Sequence, residues 1–265
     1  LYFKQAEPHK SIRLNPLANW NQPSEIASRV SQLMEEGDFR NFAHLFIDRV
    51  VNWQLYVGER PNLQSVFTYV DGAIDPLLER CLVKYFEEQG YPDFEMKARA
   101  AATPKSLNGY LDGLVALYEQ HVKESEKLEK RVKNQAITGL VQTYKHPKEH
   151  YSKIVTNVIP LMQMLATGET GLMLSPDVDD IHDDREIWDI RRVIEQNAVL
   201  YIGMDSLSNS AVAKAVNSMI LAEISSVAGE IYNFVDENKR KDIFLMIDES
   251  LRRLMSKLSK FSTKV

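Results

Sequence analysis

The residues best suited to chemistry in this sequence close a short apolar run near its carboxyl end. Five consecutive apolar residues, Ile243 to Ile247, are followed directly by Asp248 and Glu249. In the Walker B pattern of nucleotide hydrolases, such a strand delivers the Asp to the coordination shell of Mg²⁺, and the neighbouring Glu polarises the attacking water. The pattern therefore predicts catalytic roles for Asp248 and Glu249.

A helical interpretation of the same stretch fits its periodicity equally well. An apolar stripe continues beyond the run at spacings of three and four, with basic residues between its members. The stripe consists of Ile243, Ile247, Leu251, Leu254, Leu258 and Phe261. Apolar strings that end in Asp-Glu are also common by chance. The sequence therefore leaves open whether residues 243–261 form a Walker B strand or an amphipathic helix.

A second candidate site follows a strand-like run. Residues 199–202 are apolar and end at Gly203, which predicts a short strand that is buried on both faces. The polar stretch 205–210 supplies N-cap candidates for a long helix. The apolar stripe of that helix consists of Val212, Val216, Met219, Ile220, Ile224, Val227 and Ile231. Ligands of parallel α/β domains bind at the carboxyl ends of strands, so Asp205 and Ser206 are predicted to bind a cofactor.

Two clusters invite a metal hypothesis, but neither matches a metal-binding pattern. Five Asp residues lie within positions 177–184, yet an EF-hand loop starting at Asp177 would place His182 where the motif needs Gly. His146 and His150 are four residues apart, but no HExxH pattern accompanies them. We therefore expect a solvated loop at residues 177–184 and no metal site.

Composition limits the class of protein. The chain has 265 residues, of which 44% are hydrophobic, a formal net charge of −5 and one cysteine, Cys81. A single cysteine excludes an internal disulfide framework and favours a reducing compartment. The negative charge argues against simple coating of DNA, which needs clustered Lys and Arg. No run of eighteen apolar residues occurs, so we expect no membrane span in this chain.

The elements that would position these residues change character along the chain. Residues 1–4 predict a strand, and the apolar spacing is helical over residues 23–167, where Pro160 is expected to kink the last helix. Residues 184–196 predict one more helix before the strand at 199–202. A helical block flanked by pieces of α/β protein is typical of an all-helical insertion in a parallel-sheet domain.

Several linked sequence blocks carry a family resemblance. The blocks are residues 14–20 (LNPLANW), 23–29 (PSEIASR), 59–61 (ERP), 150–153 (HYSK), 174–177 (LSPD), 201–208 (YIGMDSLS) and 227–233 (VAGEIYN). In this order they resemble the TraD-type conjugative coupling proteins, which are the coupling ATPases of type IV secretion. The resemblance covers residues 1–234, and blocks in the right order are more specific than any single motif.

The resemblance implies a membrane-anchored, RecA-like ring ATPase that is hexameric when whole and uses ATP and Mg²⁺. Such a protein receives relaxase-bound single-stranded DNA and hands it to a type IV secretion channel. Its all-helical domain faces the cytosol and recognises the relaxosome, the DNA-processing complex. The expected place of action is the cytoplasmic face of the bacterial inner membrane. The expected fold is mainly α, with an all-helical domain inserted in a partial α/β RecA-like domain that has a parallel sheet.

On this basis the chain divides into four parts. Residues 1–22 are a motor-domain strand and connection, 23–170 the all-helical domain, 171–250 part of the RecA-like nucleotide-binding domain, and 251–265 a basic tail. The sequence departs from the family because it contains neither a membrane anchor nor the Walker A motif GxxxxGK[ST], and because it ends in a short basic stretch. We therefore expect an excised segment whose helical part folds as a separable domain.

A non-enzymatic helical adaptor that binds protein partners is the alternative function. Residues 24–167 hold 17 Lys and Arg against 19 Asp and Glu, a net charge of −2, whereas residues 239–264 hold 8 against 3, a net charge of +5. Non-specific DNA binding depends on phosphate neutralisation. We therefore expect the helical block to recognise protein partners and single-stranded DNA to bind weakly, mainly through the basic tail.

This chain is expected to show no magnesium-dependent ATP hydrolysis above background and to hold no tightly bound nucleotide. The reason is that no GxxxxGK[ST] sequence occurs in it to cradle the phosphates. Phosphate release with ATP and Mg²⁺ measures this, and Asp248→Ala is the control variant. Turnover that disappears in Asp248→Ala would contradict the prediction.

Overall fold

The structure of the chain, a computed structural model, describes residues 1–34, 36–72, 74–102, 108–127, 134–145, 158–206 and 209–247. Within these ranges the chain is mainly helical with short strands, as expected for a mainly α protein. The helices are α1 (Pro23–Ser31), α2 (Asp38–Tyr56), α3 (Leu63–Val70), α4 (Ile74–Glu88), α5 (Phe94–Ala101), α6 (Gly109–Lys127), α7 (Gln135–Lys145), α8 (Ile159–Ala166), α9 (Gly168–Leu174), α10 (Ile190–Glu195) and α11 (Ser210–Phe234). Short 3₁₀ turns lie at Pro8–Lys10 and Glu237–Lys239.

The described strands form two small parallel sheets, and each sheet joins residues before the helical block to residues after it. β1 (Tyr2–Lys4) pairs with β4 (Tyr201–Gly203). β2 (Arg13–Leu14) pairs with β3 (Ile187–Trp188). Helices α1 to α9 therefore lie, in chain order, between the two partners of each sheet.

One hydrophobic core connects the helical block to the strands. Trp53 of α2 is fully buried, and its indole N–H donates to the carbonyl oxygen of Ala136 in α7, 2.9 Å away. Phe3 of β1, Leu14 of β2 and Trp188 of β3 belong to the same cluster of buried side chains. Burying one such side chain contributes about 2 to 3 kcal/mol. Helices and strands thus share their packing, and the separate folding of residues 24–167 stays a prediction.

Residues 184–196 do not form the single helix expected from their pattern. Ile187 and Trp188 are in β3, and α10 begins only at Ile190. The Asp189 side chain caps α10 by accepting a hydrogen bond from the backbone N–H of Arg192 at 2.9 Å. The reason for the strand is its pairing with β2, a partner far away in sequence, which local periodicity cannot reveal.

The short strand β4 is also less buried than expected. Tyr201 of β4 is 56% exposed, and Val199 just before the strand is 83% exposed. In the described part of the chain β4 pairs with β1 alone. With one neighbouring strand, β4 keeps an open edge and a partly open face, so the prediction of burial on both faces is wrong.

Pro160 is the second residue of α8, which begins at Ile159, and the earlier part of the helix predicted to be kinked lies outside the described residues. Pro160 lies in the first turn of α8, where its missing N–H needs no partner, so α8 continues undisturbed from it. At the other end α8 stops at Ala166, and Gly168 adopts the left-handed φ of +61° that is typical of a residue after a helix end.

Helix α11 is buried along the stripe expected from the sequence. The fully buried members of that stripe are Val212, Val216, Met219, Ile220 and Val227. The helix packs against α1, α8 and α10. By length and composition α11 is the one described helix that could cross a membrane. Core helices share these properties, however, and 44% of its most apolar window is buried inside the structure.

Helices α5 and α6 cross in direct contact at Gly113. A Cβ atom placed on Gly113 would lie 1.9 Å from the backbone oxygen of Ala98, far inside contact distance. Only a residue without a side chain therefore allows α5 to lie this close to α6.

Gly113→Ala is expected to lower the free energy of unfolding by about 3 kcal/mol, because α5 has to move away from the added methyl group. Gly229→Ala is the matched control, since a Cβ atom at this helical position in α11 meets nothing within 4 Å. The control should raise the free energy of unfolding by up to about 1 kcal/mol through helix propensity. Urea unfolding of both variants checks this, and equal effects at the two positions would contradict the packing argument.

Candidate functional site

The carboxyl ends of β1 and β4 lie side by side and bring the predicted strand-end residues to one edge of the sheet. The Gln5 backbone N–H donates to the Gly203 carbonyl oxygen at 3.0 Å, which extends the pairing by one bond. The Gln5 side-chain oxygen accepts a hydrogen bond from the Asp205 backbone N–H at 3.3 Å. Ser206 follows in the same turn and is exposed. We call this edge, formed by residues 4–11 and 203–206, the strand-end site.

The turn after β4 is held at its far end by a helix cap. The Asn209 backbone N–H donates to the Asp205 carbonyl oxygen at 3.0 Å. The Asn209 side chain then accepts from the Val212 backbone N–H at 3.2 Å, which satisfies one of the free donors at the start of α11. Asn209 is among the N-cap candidates that the sequence supplied. Strand, turn and helix thus follow one another as predicted.

Two lysines and a glutamate complete the strand-end site, and sequence reasoning missed them. Glu7 accepts hydrogen bonds from the ammonium groups of Lys4 at 2.5 Å and Lys10 at 3.0 Å. These bonds, Lys4 first, lower the pKa of Glu7 to about 2. The regular spacing of Lys4, Glu7 and Lys10, three residues apart, was the feature of the sequence that could have indicated this cluster. Both ammonium groups are paired with Glu7, on the same strand end that Gln5 links to Asp205. Ligands of parallel α/β domains bind at such strand ends.

Only the apolar run of the Walker B candidate, residues 243–247, lies within the described residues. Asp248 and Glu249 lie outside the described residues. The apolar run before them has no regular secondary structure over residues 243–247, so neither the strand nor the helix foreseen from the sequence is present there. Phe244 is 93% exposed and Met246 is 98% exposed. The run is therefore an uncovered apolar segment.

The acidic loop at residues 177–184 is held by the buried Arg13. The buried Arg13 guanidinium donates to the carbonyl oxygens of Asp177, Asp183 and Arg185, at 2.8 to 3.3 Å. The Asp183 carboxylate accepts two side-chain hydrogen bonds from Arg185. These bonds lower the pKa of Asp183 to about 2. The carbonyl oxygens of Asp177 and Asp183 and the Asp183 carboxylate are therefore already engaged.

Metal ligands do not assemble elsewhere in the described ranges. No group of three or more His, Cys, Asp or Glu side chains is placed to hold an ion among the residues that the structure describes. His146 and His150 lie outside those residues. The loop interpretation of the acidic cluster therefore has a structural explanation in Arg13, and the histidine pair stays a sequence pattern.

A buried polar cluster between α1, α10 and α11 is the second feature that sequence reasoning missed. The Asn19 side-chain amide donates to Glu223 at 2.7 Å and to Asp189 at 3.0 Å. The Arg29 guanidinium, which is 3% exposed, donates to the backbone oxygens of Pro16 and Asn19. Burial raises the pKa of Glu223 to about 7. A polar Glu within the apolar stripe of α11 was the only signal for it.

No protein-family model, curated protein or solved structure matches this chain. Of the predicted site residues, Asp205 and Ser206 share the strand-end site, whereas Asp248 and Glu249 cannot be placed relative to it. The functional interpretation therefore depends on the topology, the strand-end site and the sequence resemblance.

Arg13→Met is expected to release the acidic loop, because Met keeps the apolar volume but cannot donate to three carbonyl oxygens. Hydrogen exchange of residues 177–186 should become much faster, and the free energy of unfolding should fall by about 1 to 3 kcal/mol, since partly buried acceptors lose their partner. The control is Arg192→Met, a nearby exposed arginine with one carbonyl contact. Equal loop protection in both variants would show that Arg13 does not hold the loop.

Proposed function

We propose that this chain is a cytosolic segment of a conjugative DNA-transfer coupling ATPase, which recognises the relaxosome and single-stranded DNA and delivers them to a type IV secretion channel. In the intact protein, ATP and Mg²⁺ would bind at a RecA-like motor of a hexameric ring at the cytoplasmic face of the inner membrane. The sequence resemblance and the topology support this proposal; the ring, the secretion channel and the membrane location follow from the resemblance.

The observation that carries the proposal is the position of the helices relative to the parallel strands. β1 and β2 precede the helical block, β3 and β4 follow it, and both pairs are parallel. Parallel strands need a crossover, and here the crossover is an entire helical block. This is the arrangement expected if an all-helical domain is inserted in a parallel-sheet motor domain.

The strand–turn–helix unit at β4 and α11 supports a nucleotide-related role for the strand-end site. In parallel α/β domains the carboxyl ends of neighbouring strands form the ligand crevice. Asp205 lies there, linked to Gln5 at the end of β1, and Ser206 follows it; Lys4 and Lys10, whose ammonium groups both contact Glu7, come from the β1 side of the same edge. In the proposed motor these residues would stand near the phosphates, with Asp248 and Glu249 as the Walker B pair that acts on Mg²⁺ and water.

Exposed apolar side chains around the small sheet support a larger sheet in the proposed motor. Tyr2 of β1 and Tyr201 of β4 are directly paired and are 65% and 56% exposed. The uncovered run at residues 243–247 is rich in strand formers. Exposed apolar patches of this kind mark surfaces that another element covers. We infer that further strands of the motor cover them.

The helical block supplies the proposed recognition function. Its net charge is −2, and its acidic and basic residues are interleaved along the sequence. Its surface therefore suits protein partners better than a phosphate backbone. The helical adaptor is the alternative function, and the exposed α2 side chains Phe42 and Leu45, at 54% and 55%, are the observation that favours it. In both functions the block binds protein partners, and in the coupling function these partners are the relaxase and the other relaxosome proteins.

DNA binding by the whole chain is expected to depend on the basic tail. The variant Arg252→Gln/Arg253→Gln/Lys257→Gln should weaken binding to a labelled single-stranded oligonucleotide and reduce the log–log salt slope by about 2, since each phosphate contact contributes about 0.7. The matched control removes the same charge from exposed positions of the helical block, Lys97→Gln/Arg99→Gln/Lys123→Gln. Fluorescence anisotropy at two salt concentrations measures both. A larger effect of the control triple would move the DNA site to the helices.

The coupling function and the adaptor function differ in their response to nucleotide. A reconstituted relaxase–DNA complex should bind the immobilised chain if the coupling function is correct. In a longer polypeptide that includes the Walker A strand, ATP with Mg²⁺ should protect the region of Asp248 and Glu249 from hydrogen exchange if the coupling function is correct. Relaxosome binding without any nucleotide protection would favour the adaptor, and the absence of both would refute the coupling function.

A further inference from the structure

The Glu223 carboxyl group is buried in the middle of α11 and is only half satisfied. The residue is 0% exposed. One carboxyl oxygen, Oε1, accepts from the Asn19 amide at 2.7 Å. The other, Oε2, is buried and has no hydrogen-bond partner. A buried ionised carboxylate with one unsatisfied oxygen is strongly disfavoured, whereas a neutral carboxyl group costs much less.

The charged groups around Glu223 come from α1, from the start of α10 and from α11 itself. α1 contributes Arg29 and Glu25, which lie 3.5 Å apart. The start of α10 contributes Asp189 and Arg191, and Arg191 also pairs with Glu230 of α11. α8, whose sequence is IPLMQMLA, contributes no ionisable side chain.

The sum of these charges opposes ionisation of Glu223. Two arginines and three carboxylates give the surroundings a net charge of −1 before Glu223 is counted. An ionised Glu223 would make it −2. Burial is the main cause that raises the pKa of Glu223 to about 7, and the Asp189 carboxylate acts in the same direction. Asn19 and Arg29 act in the opposite direction but do not offset the burial.

Arg29 is the group that an ionised Glu223 would recruit. Its guanidinium is the nearest buried cation and is now engaged with the carbonyl oxygens of Pro16 and Asn19. A carboxylate is a stronger acceptor than a carbonyl oxygen. Any movement of Arg29 towards Glu223 takes these two bonds away from the segment 15–20, which leads from β2 into α1.

We propose that Glu223 is a proton-controlled latch: its neutral form leaves Arg29 on the segment 15–20, and loss of its proton draws Arg29 away and releases that segment. The latch connects the segment 15–20, which leads into the helical block, to α11, which starts directly after the strand-end turn. Protonation therefore sets how firmly the helical block is held on the strand–turn–helix unit. This inference goes beyond the proposed function and does not depend on it.

Hydrogen exchange of the full chain at about pH 6 and about pH 8, corrected for the intrinsic exchange rate, tests the latch. Peptides covering residues 15–22 should lose protection about tenfold between the two conditions, because opening releases a carboxyl group from a pKa of about 7 to its ordinary value. Glu223→Gln cannot ionise and should show no such loss. Because the carboxyl pKa is higher in the closed form than in the open form, protonation at low pH stabilises the closed form. This stabilisation is lost as the pH rises through 7.

Glu195→Gln is the matched control, because it removes the same charge from an exposed position of α10. It should behave like the wild type. If Glu223→Gln does not fold, Glu223→Leu serves instead, because it replaces the titratable carboxyl group by an apolar group of similar size. It should show the same absence of a pH-dependent loss of protection. Three results would overturn the latch: no pH-dependent change in the wild type, the same change in Glu223→Gln, or an equal change in distant core peptides of α4.

Discussion

Closure of the helical block depends on contacts between residues that are far apart in sequence. Arg13 of β2 meets the carbonyl oxygen of Arg185, 172 positions later. Closing a loop of this length costs roughly 5 kcal/mol of chain entropy, while one backbone hydrogen bond returns only about 1 kcal/mol. The two-residue β2–β3 pairing is therefore too weak alone. Shared burial of Leu14 and Trp188, and the several bonds of Arg13, have to supply the rest.

Buried polar side chains hold chain segments in place here, as backbone hydrogen bonds would do in a larger sheet. Arg13 holds the loop before β3, and Arg29 holds the segment that leads into α1. Both guanidiniums donate mainly to backbone oxygens, which fixes chain direction without requiring a regular ladder. Glu223 is different, because one of its oxygens is left without a donor. A nearly closed cluster with one unsatisfied atom is the place where a single proton changes the balance.

Expectations failed where a local pattern competed with a distant partner. Residues 184–196 have helical spacing, yet the first part pairs with β2 because that pairing buries Trp188. The run before Gly203 has the composition of a doubly buried strand, but only β1 lies beside it in the described chain. Burial depends on how many neighbours a strand has, and composition reports only what the strand tolerates.

The sequence by itself determined the mainly helical class, the buried stripe of α11, a helix cap within residues 205–210 and the strand-end position of Asp205 and Ser206. Each follows from the spacing of residues within one or two turns or from a strand boundary. Only the tertiary structure decided which strands pair, that Arg13 holds the acidic loop, and that Asn19 meets Glu223 across 204 positions. The physical reason is that local periodicity shows which face of an element is apolar, whereas the identity of a buried polar partner depends on how the faces are brought together.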